Sequence, residues 1–557
     1  MLIITGVAWA TEDKPDGQAP VEQPPVGTGA MIELPIARLL PTEEHLATWL
    51  SVGDEADRRG GNGEPHVQGE PEKPRTRSPL HRLGVTVTLL SEFEHNTFQE
   101  EQAYQKYKNL VDFVGHRGKW HFGAQLRSLV FSDQMRVLPD NYEQPKKFGV
   151  YRKYIEYVGE GIHFRAGDFN QSLGNGLTLY LQQDPALRLD HTIDGGRVGV
   201  KWKWLEALFL GGVIDQVTND AGGIEPQLLA SGHQDKLIGL RVVGRLPRQT
   251  MIGINLNRFE YEGREANRQQ SGSVEFKASG VLNRLDVAGE VAFTQRRFDN
   301  PGFTGLSEHG RAIYLSATGY ALGATALVEY KNYRDFESPY VNPPNLGRVD
   351  DLIANQNVRG FRARVDRTFI KTGTTAFFSY TQQNSVQSTA PFSFPLPNFS
   401  TLIFGGVEQS LQDDRWFIQV VIGRRYEKDV GLDETHTTVD VTRRLGGRHS
   451  VGFNYDGRHT KLFLIQKHDD RFVFSYGVSP YVIFSLLLAR QQNVSRESGE
   501  QLEEKYFTGP EVVFTPTSSW LVKVFVGQRP GGLVCSGGIC REETPFRGFR
   551  STVSYRF

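Results

Sequence analysis

Only two of the 557 residues are cysteine, which excludes a disulfide-built scaffold and a cysteine-ligated iron–sulfur protein. No apolar run approaches the ~20 residues that a membrane-spanning helix needs. Tyr481-Val-Ile-Phe-Ser-Leu-Leu-Leu-Ala489, among the longest, reaches only about half of that. With 38% hydrophobic residues and a mean hydropathy of −0.41, the chain is too polar for a bundle of membrane helices. The net charge is −1 and no basic tract is present, so no nucleic-acid partner is expected. Compact catalytic signatures are missing too: Cys-x-x-Cys-His, His-Glu-x-x-His, Gly-x-Ser-x-Gly and a phosphate-binding Gly-rich loop with Lys. The 14 histidines are scattered, and His449, His459 and His468 come nearest to a cluster without forming a metal-ligand pattern. Neither an enzyme nor a cofactor is expected.

What the sequence does hold is a period of two, over a background of 11% aromatic residues and 59 glycines. Side chains alternate between the two faces of a strand. Ile252, Ile254 and Leu256 alternate with Gly253, Asn255 and Asn257. Val274 and Phe276 alternate with Glu275 and Lys277, and Ile238, Leu240 and Val242 oppose Arg241, with Arg245 extending that polar face. Phe361, Ala363, Val365 and Phe369 oppose Arg362, Arg364 and Asp366, while Arg367 falls on the apolar side near one end. Segments of about ten such residues fit transmembrane strands with one lipid face and one watery face. Arg241, Arg245, Glu275, Lys277, Arg362, Arg364 and Asp366 are therefore candidates to line a lumen. A soluble propeller or solenoid would show a repeat of fixed period, and none is present.

Connection lengths test the same idea independently. Short turns, such as Lys371-Thr-Gly373, Leu282-Asn-Arg284 and Leu246-Pro-Arg-Gln249, alternate with longer loops, such as 529–545, 334–356 and 215–233. That is the pattern of short periplasmic turns and long external loops. It returns the chain start near residue 84 to the side of the C-terminus, which requires an even strand number. The expectation is an all-β fold: an antiparallel transmembrane barrel over 84–557, of 26 strands or, as a fallback, 24. The difference lies in 170–194, where Leu177-Thr-Leu-Tyr-Leu181 and Ala186-Leu-Arg-Leu-Asp190 alternate well enough for an extra hairpin. At 26 strands the cylinder is roughly 50 Å across. A hole of that width calls for a filling: folded-in loops, the N-terminal segment or another protein.

The chain ends Phe549-Arg-Ser-Thr-Val-Ser-Tyr-Arg-Phe557, with Phe549, Val553, Tyr555 and Phe557 on one face. This ending resembles the closing strand of bacterial outer-membrane β-barrels, which stop on Phe after alternating aromatic or apolar residues. The resemblance implies that these four residues are read by the barrel assembly machinery, and that lipid and lipopolysaccharide surround the protein. Arg165-Ala-Gly-Asp-Phe169 followed by Gly174-Asn-Gly176 resembles a stretch of large porin-like barrels of poorly characterised function; Gly-x-Gly also simply marks a tight turn.

At the other end, residues 1–10 finish Ala8-Trp9-Ala10, the form of a signal-peptidase site, and read as the remnant of a signal peptide. Residues 11–83 read as a Pro-rich acidic periplasmic linker or plug; the stretch 11–80 holds 10 of the 27 prolines. Cys535 and Cys540, separated by Ser-Gly-Gly-Ile in the last external loop, are expected to form a disulfide in an oxidising compartment. The leading function is a porin-like channel for solutes across the Gram-negative outer membrane. The alternatives are a sheath housing a periplasmic or lumen-bound protein such as a cytochrome, and a component of an export machine.

Overall fold

The computed structural model describes residues 84–98, 103–132, 148–184, 189–217, 230–263, 266–298, 306–336, 338–346, 357–387, 399–412, 415–496, 498–536, 539–543 and 545–557. The expected signal remnant and Pro-rich segment lie outside the described residues. Twenty-four strands, from Gly84–Asn96 to Phe546–Arg556, pair antiparallel with their sequence neighbours in one sheet. The first strand also pairs with the last, Thr88 opposite Arg556 and Asn96 opposite Gly548, so the sheet closes and has no edge. Gly84 and Phe557 lie at the same end, where Phe557 N–H donates to the Val87 carbonyl over 2.9 Å.

The strand Thr250–Glu260 shows why the wall stands. Ile252, Ile254 and Leu256 are about half exposed, at 48%, 49% and 49%, while the alternating Asn255 and Phe259 are at 0%. The same outward apolar face continues around the wall, through Val85, Val274, Phe361, Ile422, Phe474 and Val526. A closed apolar belt of this extent far exceeds what a soluble protein leaves to water, and closure satisfies every ladder group inside the wall. At 24 strands the cylinder is about 48 Å across.

Strand number settles at the lower of the two expected values because 170–192 is not part of the wall. Phe169 pairs directly with Ile193, so Ile162–Phe169 and Ile193–Lys201 are wall neighbours without any strand between them. Inside the intervening loop, Gln171–Leu173 pairs with Leu179–Leu181 and Gln183–Asp184 with Leu189–Asp190, as two small separate sheets. Leu179–Leu181, at three residues, is far shorter than the ~9–11 a strand needs to cross a bilayer. Turns and loops alternate end to end as expected, except that two connections at the loop end, around Gly431 and at Phe463-Leu464, are also tight.

Candidate functional site in the barrel lumen

The loop 170–192 folds back against the inner wall. Leu173, Leu177 and Leu179 are fully buried, two of them in a cluster with Leu210, Leu237 and Phe259 of the wall. A second segment, 335–346, does the same: Phe336, Val341 and Leu346 pack with Leu177, Ala312 and Tyr333. The two segments form one block. Tyr180 N–H donates to the Tyr340 carbonyl over 2.8 Å, and Asn342 N–H to the Gly176 carbonyl over 2.9 Å. Wall side chains hold the block in place: Tyr340 Oη donates to Asp235 Oδ2 over 2.6 Å, and Thr381 Oγ1 to the Leu346 carbonyl over 2.9 Å.

Its tip is Gly174-Asn175-Gly176. Asn175 N–H donates to Glu290 Oε2 over 2.5 Å. Both glycines have positive φ, at 61° and 81°, which glycine alone adopts without cost. Space is equally limiting, since a Cβ at position 174 would sit 2.4 Å from a Glu290 carboxylate oxygen.

Beneath the block lies a buried polar network on the wall. Glu290 and Lys331 are at 0% exposure and Glu329 at 2%. Arg362 pairs with Glu329, and Tyr314 Oη donates to Glu329 Oε1 over 2.5 Å. Across the lumen a part of the inner face is wetter. On the strands His449–Leu462 and Ile465–Val478, the side chains of Asp456, Arg458, Lys467 and Asp469 are exposed by 43%, 27%, 45% and 26%.

The residues singled out from sequence fall in several places. Arg241 reaches Glu275 over 2.8 Å, and Arg364 lies 2.6 Å from Asp366. Lys277 is exposed, two positions along the strand from Glu275. Arg245 pairs with Glu206 over 2.5 Å, and Arg362 with Glu329. Neither of those carboxylates, nor Glu290 or Lys331, was singled out from the sequence, although Glu329 and Lys331 alternate with the outward Val328 and Tyr330. Phe549 packs 5.8 Å from Phe93, and Tyr555 4.3 Å from Trp520 and 4.4 Å from Phe557; Val553 shares their face. His459 and His468 face each other on neighbouring strands, Nδ1 to Nδ1 2.8 Å, while His449 lies at the other end beside Tyr476. Among the described residues no three His, Cys, Asp or Glu are grouped to hold a metal ion. The backbone of the hairpin Gly532–Ser536 and Ile539–Glu543 sets Cys535 opposite Cys540.

A closed antiparallel wall, an apolar outer belt and a polar inner face together decide the class. This is a β-barrel of the outer-membrane type. No known family model and no curated protein matches the sequence. Among solved structures, the barrel is similar to the translocation pore of the P pilus usher PapC, at 9% identity and a TM-score of 0.43 over 85% of this chain and 99% of that one. A BenF-like porin from Pseudomonas fluorescens matches at 12% identity and a TM-score of 0.38, over 64% of this barrel's chain and 96% of its own. The ferric enterobactin receptor of Pseudomonas aeruginosa matches at 8% identity and 0.46, over 85% and 81%.

Proposed function

We propose that this barrel is an outer-membrane channel through which small polar solutes pass along the side of the lumen that, among the described residues, the inward block leaves uncovered. The observation that carries this is the group of partly hydrated charges, Asp456, Arg458, Lys467 and Asp469, on the inner face away from the block, where Glu290, Glu329 and Lys331 beneath it are dry. A lining of both signs hydrates the pathway without strongly selecting cations or anions. The turn end faces the periplasm in this reading, and residues 11–83 lie there as a linker or plug.

The full chain, reconstituted in planar bilayers, should give discrete conductance steps of weak ion selectivity. Deleting residues 11–83 raises the step only if that segment plugs the bore. A folded, inserted barrel that never conducts would remove the channel reading.

The width supports a second reading. About 48 Å is more than solute diffusion needs, and among the described residues the block lines one side only, which leaves width for a protein partner. A stoichiometric periplasmic protein retained through purification from native membranes would favour a sheath.

We also infer that Cys535 and Cys540 are bridged and stiffen the last loop. Alkylation of non-reduced protein should then label neither thiol, and labelling of both contradicts the bridge.

A further inference from the structure

Two wall strands, His449–Leu462 and Ile465–Val478, are joined at the loop end by the two-residue turn Phe463-Leu464. Phe463 takes φ 43°, a left-handed backbone that a bulky residue adopts only at a cost. The hairpin is thereby held in register up to its tip.

Near that tip His459 stands directly opposite His468. They share the outward face of Val451 and Phe474, and both are half-buried, nearer the loop end than the aromatic pair Tyr455 and Phe472. Their ring centroids are 4.1 Å apart with the planes inclined by 60°, and the two Nδ1 atoms lie 2.8 Å apart. The Gln466 side-chain amide comes within 3.3 Å of His459 Nε2 and 3.1 Å of His468 Nε2. By contrast His116 and His121, also directly opposed, keep their rings 6.2 Å apart.

Two neutral imidazoles and one amide cannot satisfy this arrangement. A neutral ring has one N–H and one lone pair, so one Nδ1 must donate to the other. The donor ring then presents a lone pair at Nε2, and the acceptor ring an N–H. Gln466 faces both, and whichever end of its amide it turns toward them, one contact sets like against like. A cation between the two Nδ1 atoms removes the mismatch. Both rings then carry their proton on Nε2, and Gln466 Oε1 accepts from both. A proton serves only where imidazole is largely protonated, below about pH 6.5. Above it, a metal ion fits that role.

Distance selects among metals. With metal–nitrogen bonds of ~2.0 Å, two nitrogens 2.8 Å apart subtend about 90° at the metal. That is the angle between neighbouring ligands of a square-planar or octahedral ion, not the ~109° of a tetrahedral one. Imidazole nitrogen with tetragonal geometry suits Cu(II) and Ni(II), and Cu(II) heads the affinity order of the divalent series. We propose that His459 and His468 form a two-imidazole site for Cu(II) or Ni(II), binding through both Nδ1 atoms. Gln466 is its positioning residue, and water takes the remaining positions. The bound ion clasps the hairpin from outside. The site needs only the folded wall, whether or not the lumen conducts.

The test titrates the purified full-length barrel, without an affinity tag and slightly above neutral pH, with Cu(II), Ni(II), Zn(II) and Mg(II) chlorides. One equivalent of Cu(II) should bind, tighter than Ni(II) or Zn(II), and Mg(II) should not bind. The electron paramagnetic resonance of that copper should carry the splitting of two nitrogens. His459→Gln and His468→Gln should each leave one nitrogen and weaken binding at least ~10-fold, from loss of one of two ligands. Gln466→Leu should weaken it about 10-fold, and Gln466→Glu, which still accepts from both rings, should bind as the unaltered chain does. His449→Gln, at the other end of its strand, should change nothing.

Copper bound equally well by folded His459→Gln and His468→Gln variants overturns the proposal. So does a copper spectrum of the unaltered chain with one nitrogen or none, a result that stands even if a variant fails to fold.

Discussion

Glu329→Ala should destabilise the barrel by about 3–5 kcal/mol, the cost of breaking a buried ion pair from one side. Glu329 is 2% exposed and Arg362 4%. Removing the carboxylate takes its ion-pair partner on the wall from the buried Arg362 guanidinium, with Lys331, itself at 0% exposure, on the same inner face. It also takes the acceptor from Tyr314 Oη. Replacement of Glu206, which pairs with Arg245 at a wetter position, should cost only about 0–1 kcal/mol. Denaturant unfolding of the two variants in the same detergent makes the comparison. Equal small losses would show that the block does not exclude water from the network.

The second large effect concerns the bore. Replacing residues 170–192 by Asn-Gly should raise single-channel conductance severalfold while leaving the wall closed. The geometry permits this excision, because Phe169 and Ile193 are already paired and a two-residue turn joins such a pair. It also takes from 335–346 its bonds to Tyr180 and Gly176, leaving that segment held by Asp235 and Thr381 of the wall. Leu210, Leu237 and Phe259 would then face water, so some stability is lost along with the block. Conductance equal to that of the unaltered chain, in a barrel still folded, would show that the block does not limit flow.

Much of the wall was legible in the sequence because a barrel strand writes both faces in alternate letters. Ile252, Ile254 and Leu256 could be assigned to one face and Asn255 to the other without any tertiary information. The alternation of turns and loops then fixed the even strand number.

The inward loop was less legible, and the reason is physical. Leu177, Leu179 and Leu181 alternate as lipid-facing residues do, and the same alternation serves a hairpin whose apolar side packs onto the wall from within. A signal was present in the neighbouring strands. Ile193, Leu208, Leu210, Leu237 and Phe259 are apolar on the inner parity, where most strands are polar. A wall apolar on both faces requires a cover inside as well as lipid outside.

The buried network was hidden for a related reason. Parity places Glu290, Glu329 and Lys331 on the inner face, but only the loop above them turns a wetted face into a dry one. Sequence separation is 115 residues between Asn175 and Glu290, beyond the reach of local pattern.

The seam between the first and last strands bears on the order in which the molecule can be made. Every other wall pairing joins strands close in sequence and can zip hairpin by hairpin. The closing pair joins Gly84–Asn96 to Phe546–Arg556, and Thr97 N–H reaches the Arg547 carbonyl across 450 positions. Loop-closure entropy for so long a chain is recovered only at that final step. There Glu94 meets Arg550 at 3.1 Å and Lys106 at 3.3 Å, on side chains almost wholly buried at Glu94 and Lys106. The Glu94 carboxylate thus waits, half-neutralised by its hairpin partner, until the strand carrying Arg550 arrives. Closure of the cylinder therefore waits for the strand Phe546–Arg556, and a wall without it leaves Gly84–Asn96 as an open edge.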